Sequence, residues 1–176
     1  MPLPIAHGLL GASIVMAMHR QPTRSRYAVS LFAGALLANA ADLDFLLVAA
    51  LHSKEWHRGF SHSLVFSLLI CLLFLGILGK RQSRNAMAYG LAFTSHGLLD
   101  YLASKSGGGV ELLWPFSTAR LRLGWWGLSE VPSRLTRVEI LEALMVETAL
   151  FALVFFAIFL LRRSLANRMN SDVGSV

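Results

Sequence analysis

Seven side chains in this sequence are of the kinds that hold a divalent metal: His7, Asp42, Asp44, His57, His62, His96 and Asp100. Neutral imidazole and carboxylate together form a common ligand set for zinc. Their setting is unusual, because each lies in or beside an apolar run. His57 and His62 fall in "HRGFSHS" (57–63), directly ahead of a stretch of leucine, valine and phenylalanine. His96 and Asp100, in "HGLLD", stand i and i+4 on a helix, on one face and about 6 Å apart. Asp42 and Asp44, in "ADLDF", are i and i+2 and point roughly 200° apart on a regular α-helix. Either one ligates with the other behind it, or the helix is distorted there. Asn39 shares the face of Asp42. Arg58 sits beside the histidines, suited to a phosphate or carboxylate. Gly59 permits a sharp turn, and Ser61 is placed to cap the helix that follows.

The elements that must position these groups are apolar. The chain has 176 residues, enough for one domain, and is 55% hydrophobic and 15% charged. A soluble domain carries about 25% charged residues. Five apolar blocks follow one another at about 3–18, 27–51, 60–79, 86–103 and 138–161. A membrane span needs about 20 residues, which the second, third and fifth blocks supply easily. The first and fourth are marginal and each contains a histidine, so their polar residues must face other helices. The expected fold is an all-α, polytopic membrane bundle of about five transmembrane helices. Residues 1–168 make a single integral membrane domain, and 169–176 a flexible tail.

Charge orients the bundle. The formal net charge is +6, but the basic residues lie between apolar blocks, which suits topology and gives no nucleic-acid face. The dense basic links "HRQPTRSR" (19–26) and "KRQSR" (80–84), and the tail start "RRSLANR" (162–168), belong in the cytoplasm. That places the N-terminus outside and the C-terminus inside, with nine Lys/Arg on the cytoplasmic side against seven. The start, "MPLPIAHGLL", lacks the basic segment of an ordinary signal peptide. Cys71 is the only cysteine, so an intramolecular disulfide and a Cys-x-x-Cys metal site are both excluded. In the 104–137 link, a "SGGG" run is open enough for a lid, and Trp125–Trp126 reads as an anchor at the lipid headgroups.

On this topology the seven candidate ligands gather at one depth, most of them roughly 5 to 15 Å below the outer surface at 1.5 Å per helical residue. Isolated carboxylates are costly in a bilayer. Several carboxylates and imidazoles at one depth become compatible when they share a cation. Glu147 lies deeper in the last block and reads equally as a bundle contact or a member of the site.

With these elements in place, the chain resembles the bacterial inner-membrane metal-dependent hydrolases of the YdjM type. The resemblance rests on His7, "ADLDF" (41–45), "HRGFSHS" (57–63), "HGLLD" (96–100) and "LLWPFS" (112–117), in that order. The family often has Pro where Ala41 stands and Thr where Ser61 stands, and neither difference removes a candidate ligand. The resemblance implies a helical membrane protein with a bound divalent metal, and hydrolysis. It also implies a distant similarity to the zinc-dependent phospholipase C fold in ligand type and His-x-x-x-Asp spacing.

Two functions follow as expectations. The first is a zinc hydrolase of a lipid phosphodiester or ester. Asp42 or Asp44 would take a proton from water, and Arg58 would stabilise the oxyanion. Arg58, Ser61 and Trp114 would meet the substrate. The second is a non-catalytic metal staple, carrier or sensor. A proton-coupled transporter built on Asp42, Asp44 and Glu147 suits five spans without a repeat poorly.

Overall fold

The computed structural model describes residues 2–18, 24–104, 108–124 and 137–173. Among the described residues six α-helices form: α1 (Pro4–Met18), α2 (Arg24–Leu37), α3 (Phe45–Leu51), α4 (Leu64–Leu78), α5 (Ser83–Ala103) and α6 (Arg137–Val173). Among the described residues there is no strand, only an isolated antiparallel bridge between Val110 and Leu121. The bundle is all-α, as expected. α6 continues to Val173, into the segment read as a tail. Trp125 and Trp126 lie outside the described residues.

α1 and α5 sit at the centre. α1 packs against α2, α5 and α6, and α5 also packs against α4. The inward face of α1 is built from small residues, including Gly8, Gly11, Ala12 and Ser13. A Cβ on Gly11 would strike the Gly34 carbonyl oxygen and the Ala38 side chain of the neighbouring segment. Small residues at such crossings let helix backbones approach closely, the usual packing solution inside a membrane. At the other end of the chain, Glu147 of α6 is fully buried and its Oε2 accepts the Leu3 N–H at 2.6 Å. Glu147 is therefore a bundle contact at the start of α1.

Only α6, over Val138–Leu165, is by itself long and apolar enough to cross a membrane among the described residues. The second and third apolar blocks are broken. Arg26–Leu37 with Ala40–Leu51 bends by 48°, and Lys54–His62 with Leu64–Leu78 bends by 54°; each pair qualifies as a span when taken together. The first break becomes a 3₁₀ turn, Ala40–Asp44, and the second ends in another, Phe60–His62. Irregular backbone at membrane depth is tolerated where protein buries it. Both breaks carry the polar motifs. α1 is a shorter apolar helix, and α5 spans 21 residues.

Between Val110 and Leu123 the link after α5 is tied down by backbone hydrogen bonds. Val110 and Leu121 exchange backbone hydrogen bonds, Glu111 N–H donates to the Arg58 carbonyl at 2.9 Å, and Leu64 N–H donates to the Leu112 carbonyl at 3.0 Å. This segment clasps the second break. Ser106 and Gly107, half of the run read as a lid, lie outside the described residues.

Candidate metal centre

The 3₁₀ turn at Ala40–Asp44 resolves the i, i+2 problem, because the helix is distorted where the two aspartates stand. Asp42 turns toward α5, with Oδ1 3.3 Å from His96 Nε2 and 3.6 Å from His62 Nε2. Asp44 turns toward the second break and lies 3.0 Å from His57 Nδ1. Its other oxygen accepts the Arg58 N–H at 2.9 Å and the Ser61 hydroxyl at 2.8 Å.

From α5, His96 and Asp100 project to the same place. From α1, His7 stacks on His96 with ring centroids 3.9 Å apart and brings Nε2 to 3.5 Å from Asp100 Oδ1. His62 Nε2 is 3.8 Å from Asp100 Oδ2. All seven residues picked from the sequence therefore meet. They form three linked groups able to hold a metal: His7–His96–Asp100, Asp42–His62–His96 and Asp42–Asp44–His57.

The imidazole protons are assigned by their neighbours. His96 Nδ1 is 2.6 Å from the Ala38 carbonyl oxygen, which can only accept. Nδ1 therefore carries the proton, and Nε2 offers a lone pair. Ser61 gives its hydroxyl proton to Asp44, so its oxygen accepts from His62 Nδ1 at 2.9 Å. In the neutral ring, the form that binds a metal, this leaves His62 Nε2 with a lone pair as well. Metal-binding histidines are held in this way, with the far nitrogen bonded to a carbonyl or carboxylate relay.

Two lone pairs thus face the oxygen of Asp42. Among the described residues, His62 Nε2, His96 Nε2, Asp42 Oδ1, both His7 nitrogens and both Asp100 oxygens are buried without a hydrogen-bond partner. Buried polar atoms left unpaired are costly and rare. The separations of 3.3 to 3.8 Å exceed the usual N–H···O range of about 2.7–3.2 Å. They match ligand pairs across one ion: two donors about 2.1 Å from a tetrahedral zinc stand about 3.4 Å apart. The donor set and its spacing fit a divalent metal.

Burial grades the site. His7, His62, His96 and Asp100 are closed off, whereas the side chains of Asp42 and His57 keep 19% and 20% of their exposure. The cluster opens on the Asp42–His57 side.

Arg58 is itself buried, with Nε 3.3 Å from Asp100 Oδ2. Its backbone adopts φ 60°, the left-handed region uncommon for a non-glycine residue. The turn read onto Gly59 is thus carried in left-handed form by Arg58. The helix cap expected at Ser61 belongs to Ser63, whose hydroxyl oxygen accepts the Phe66 N–H at 3.1 Å. The Phe60–His62 turn occupies the residues before α4, which moves the cap on and frees Ser61 for Asp44. Trp114 is one ring removed from the cluster, tilted against Phe60 at 5.8 Å. Asn39 bonds back to the Ala35 carbonyl at 2.9 Å.

Gly97 has a role that motif reading missed. A Cβ there would strike the His62 carbonyl oxygen, so glycine is what allows the second break to lie directly on α5. A glycine inside a helix costs about 1 kcal/mol against alanine, which is the signal that could have drawn attention to it. The Ala38 carbonyl, a backbone group, left no such signal.

Comparison with known proteins shows the family of the chain. The chain is 33% identical to the inner membrane protein YbcI of Escherichia coli (strain K12) over 145 residues, covering 78% of this chain and 81% of that protein. No solved structure matches it. A model of the YdjM inner membrane proteins matches residues 1–169, every candidate ligand included, and this chain belongs to that family.

Proposed function

We propose that this protein is a membrane-embedded, metal-dependent hydrolase acting on a phosphodiester or ester bond at the outer headgroup layer of the inner membrane, with zinc as its metal. One observation carries the reading: the His62 and His96 lone pairs face Asp42 Oδ1 at the spacing of ligands around one ion. An ion held there polarises a water molecule and the oxygen of the scissile bond.

The protein's own groups divide the remaining work. Asp44 is engaged through both oxygens, so it positions His57 and, through Ser61, His62. Asp42 is the carboxylate at the opening and the group that takes the proton from water. The water oxygen bonds to phosphorus or to the acyl carbon, the bond to the leaving alcohol breaks, and that alcohol recovers the proton from Asp42. The Arg58 guanidinium, which lies against Asp100, would offset the negative charge that builds up. The resemblance of the His-x-x-x-Asp spacing at His96 and Asp100 to that of the zinc-dependent phospholipase C fold, drawn from the sequence, points to a phospholipid as substrate class.

The closed His7–His96–Asp100 group favours a second role beside the first, a staple between α1 and α5. A structural site fills every coordination position with protein, and a catalytic one keeps a position open. Five spans with the N-terminus outside complete the reading. It is supported by α6, the two bent pairs, the apolar α1, the 21-residue α5 and the basic links. Reporter fusions test it: a fusion after Arg81 should read as cytoplasmic and one after Ser53 as external.

The deciding experiment is metal content per chain, in detergent, for the wild type and for His62→Ala and His96→Ala, followed by hydrolysis of labelled phospholipids. Stoichiometric zinc lost in both variants, with turnover in the wild type alone, supports the hydrolase. A folded wild type that takes up no zinc when it is offered rejects it. Zinc binding without turnover leaves only the staple.

A further inference from the structure

A cavity of about 360 Å³ opens beside the cluster. That lies within the range of about 300–1,000 Å³ typical of small-molecule sites. Asp44 and Ser61 are its polar lining residues, and every other lining side chain is apolar. Phe66, Ile70, Leu73 and Phe74 line it at the i, i+4, i+7 and i+8 positions of α4, one helical face running for about 12 Å. Leu43 and Leu73, at its walls, are 63% and 55% exposed, so the groove is open sideways. Its walls come from both bent segments, each apolar enough to span a membrane, and Phe93 of α5 also contributes.

The occupant must match these features. It needs one polar end, placed where α4 begins beside Asp44 and Ser61, and an apolar length that follows α4. It must enter through a wall that a membrane surrounds with hydrocarbon. A peptide or a second helix brings a hydrogen-bonded backbone along its whole length, for which the lining offers polar partners at one level only. A lipid has the required gradient.

We propose that this groove seats one alkyl chain of a bilayer lipid and so brings that lipid's headgroup linkage to the His and Asp cluster. The inference rests on the hydrolase reading for events at the polar end, and on the groove alone for the chain. Substrate then arrives by lateral diffusion within the leaflet, and selection acts on the chain as well as on the headgroup.

Photolabelling tests it. The whole protein is placed in phosphatidylethanolamine–phosphatidylglycerol nanodiscs containing a trace of phosphatidylethanolamine with a diazirine midway along one chain. Labelled residues are mapped by mass spectrometry, and zinc is measured on the same sample. The expected result is label focused on Ile70, Leu73, Phe74 and Phe93, above that on the lipid-facing Phe156 and Leu160 of α6. Ile70→Trp and Leu73→Trp, which fill the groove, should each lose the focused label. Label spread evenly over α4 and α6 in the wild type overturns the proposal. Label that survives in both filled variants also overturns it. Focused label in a folded, zinc-free wild type keeps the groove and rejects the hydrolase. Bound zinc with diffuse label does the reverse.

Discussion

His96 Nε2 stands 3.3 Å from Asp42 Oδ1, and in the neutral imidazole neither atom has a proton to place between them. The proton of His96 is on the other ring nitrogen, committed to the Ala38 carbonyl. A lone pair opposed to a carboxylate oxygen in a buried setting is repulsive unless a cation lies between the two. The same opposition recurs at His62 and Asp42, so one ion held there would relieve both.

The relay behind His62 is testable at Ser61. Ser61→Ala removes the hydroxyl that orients His62 Nδ1 and bonds to Asp44. Supporting groups of this kind are worth about 10–100-fold in metal affinity. The variant should bind zinc weaker by that factor, as read by competition with a chromophoric chelator. Unchanged affinity would remove Ser61 from the site.

Arg58→Lys separates binding from chemistry. Arginine offers a planar fork that lysine cannot reproduce. Zinc content should hold, while lipid turnover falls by about 10²–10³, the usual loss for one donor to a developing anion. Equal turnover in the two proteins would assign Arg58 to pairing with Asp100 alone.

Gly97→Val drives a side chain into the His62 backbone. Overpacking of this kind costs about 1–3 kcal/mol. Thermal melting in detergent should show that loss together with lowered zinc content. Gly76→Ala is the control: a Cβ there meets nothing within 4 Å, and the change should be neutral or slightly stabilising. Equal melting of the two variants would separate Gly97 from the site.

Acid should release the metal. Imidazole ligands bind metal in their neutral form, so protons compete with it. Free imidazole side chains take up protons near pH 6.5, and zinc retention after dialysis should therefore fall between about pH 7 and pH 5. The sign is fixed: binding is complete on the alkaline side and lost as the pH drops. Zinc retained at pH 5 would indicate that carboxylates alone hold it.

How far the sequence could be read depends on what each residue encodes. The seven candidate ligands were legible because an ionisable residue in an apolar run is costly unless it finds a partner, and His7, Asp42 and His96 do lie together. The helical blocks were legible from length and hydropathy. The first break was legible only as one of two alternatives, a distorted helix at Asp42 and Asp44, because the 3₁₀ turn in "ANAADLDF" depends on the partners that these two residues find. Ser61 and Ser63 could not be ranked as caps, because a turn of three residues decided between them. The left-handed Arg58 was hidden by the glycine beside it, the residue ordinarily favoured there.

The contact between Glu147 and Leu3 sets an order of assembly. The two residues are separated by 144 positions, so the loop they close is nearly the whole chain. During synthesis α1 can settle against α2 and α5 as those emerge, but its beginning stays untethered until α6 has left the ribosome. His7 lies one helical turn from that tether. The earliest candidate ligand to be made is therefore placed against α5 first and secured from its other side only when α6 arrives, and a nascent chain ending before Glu147 lacks that second hold.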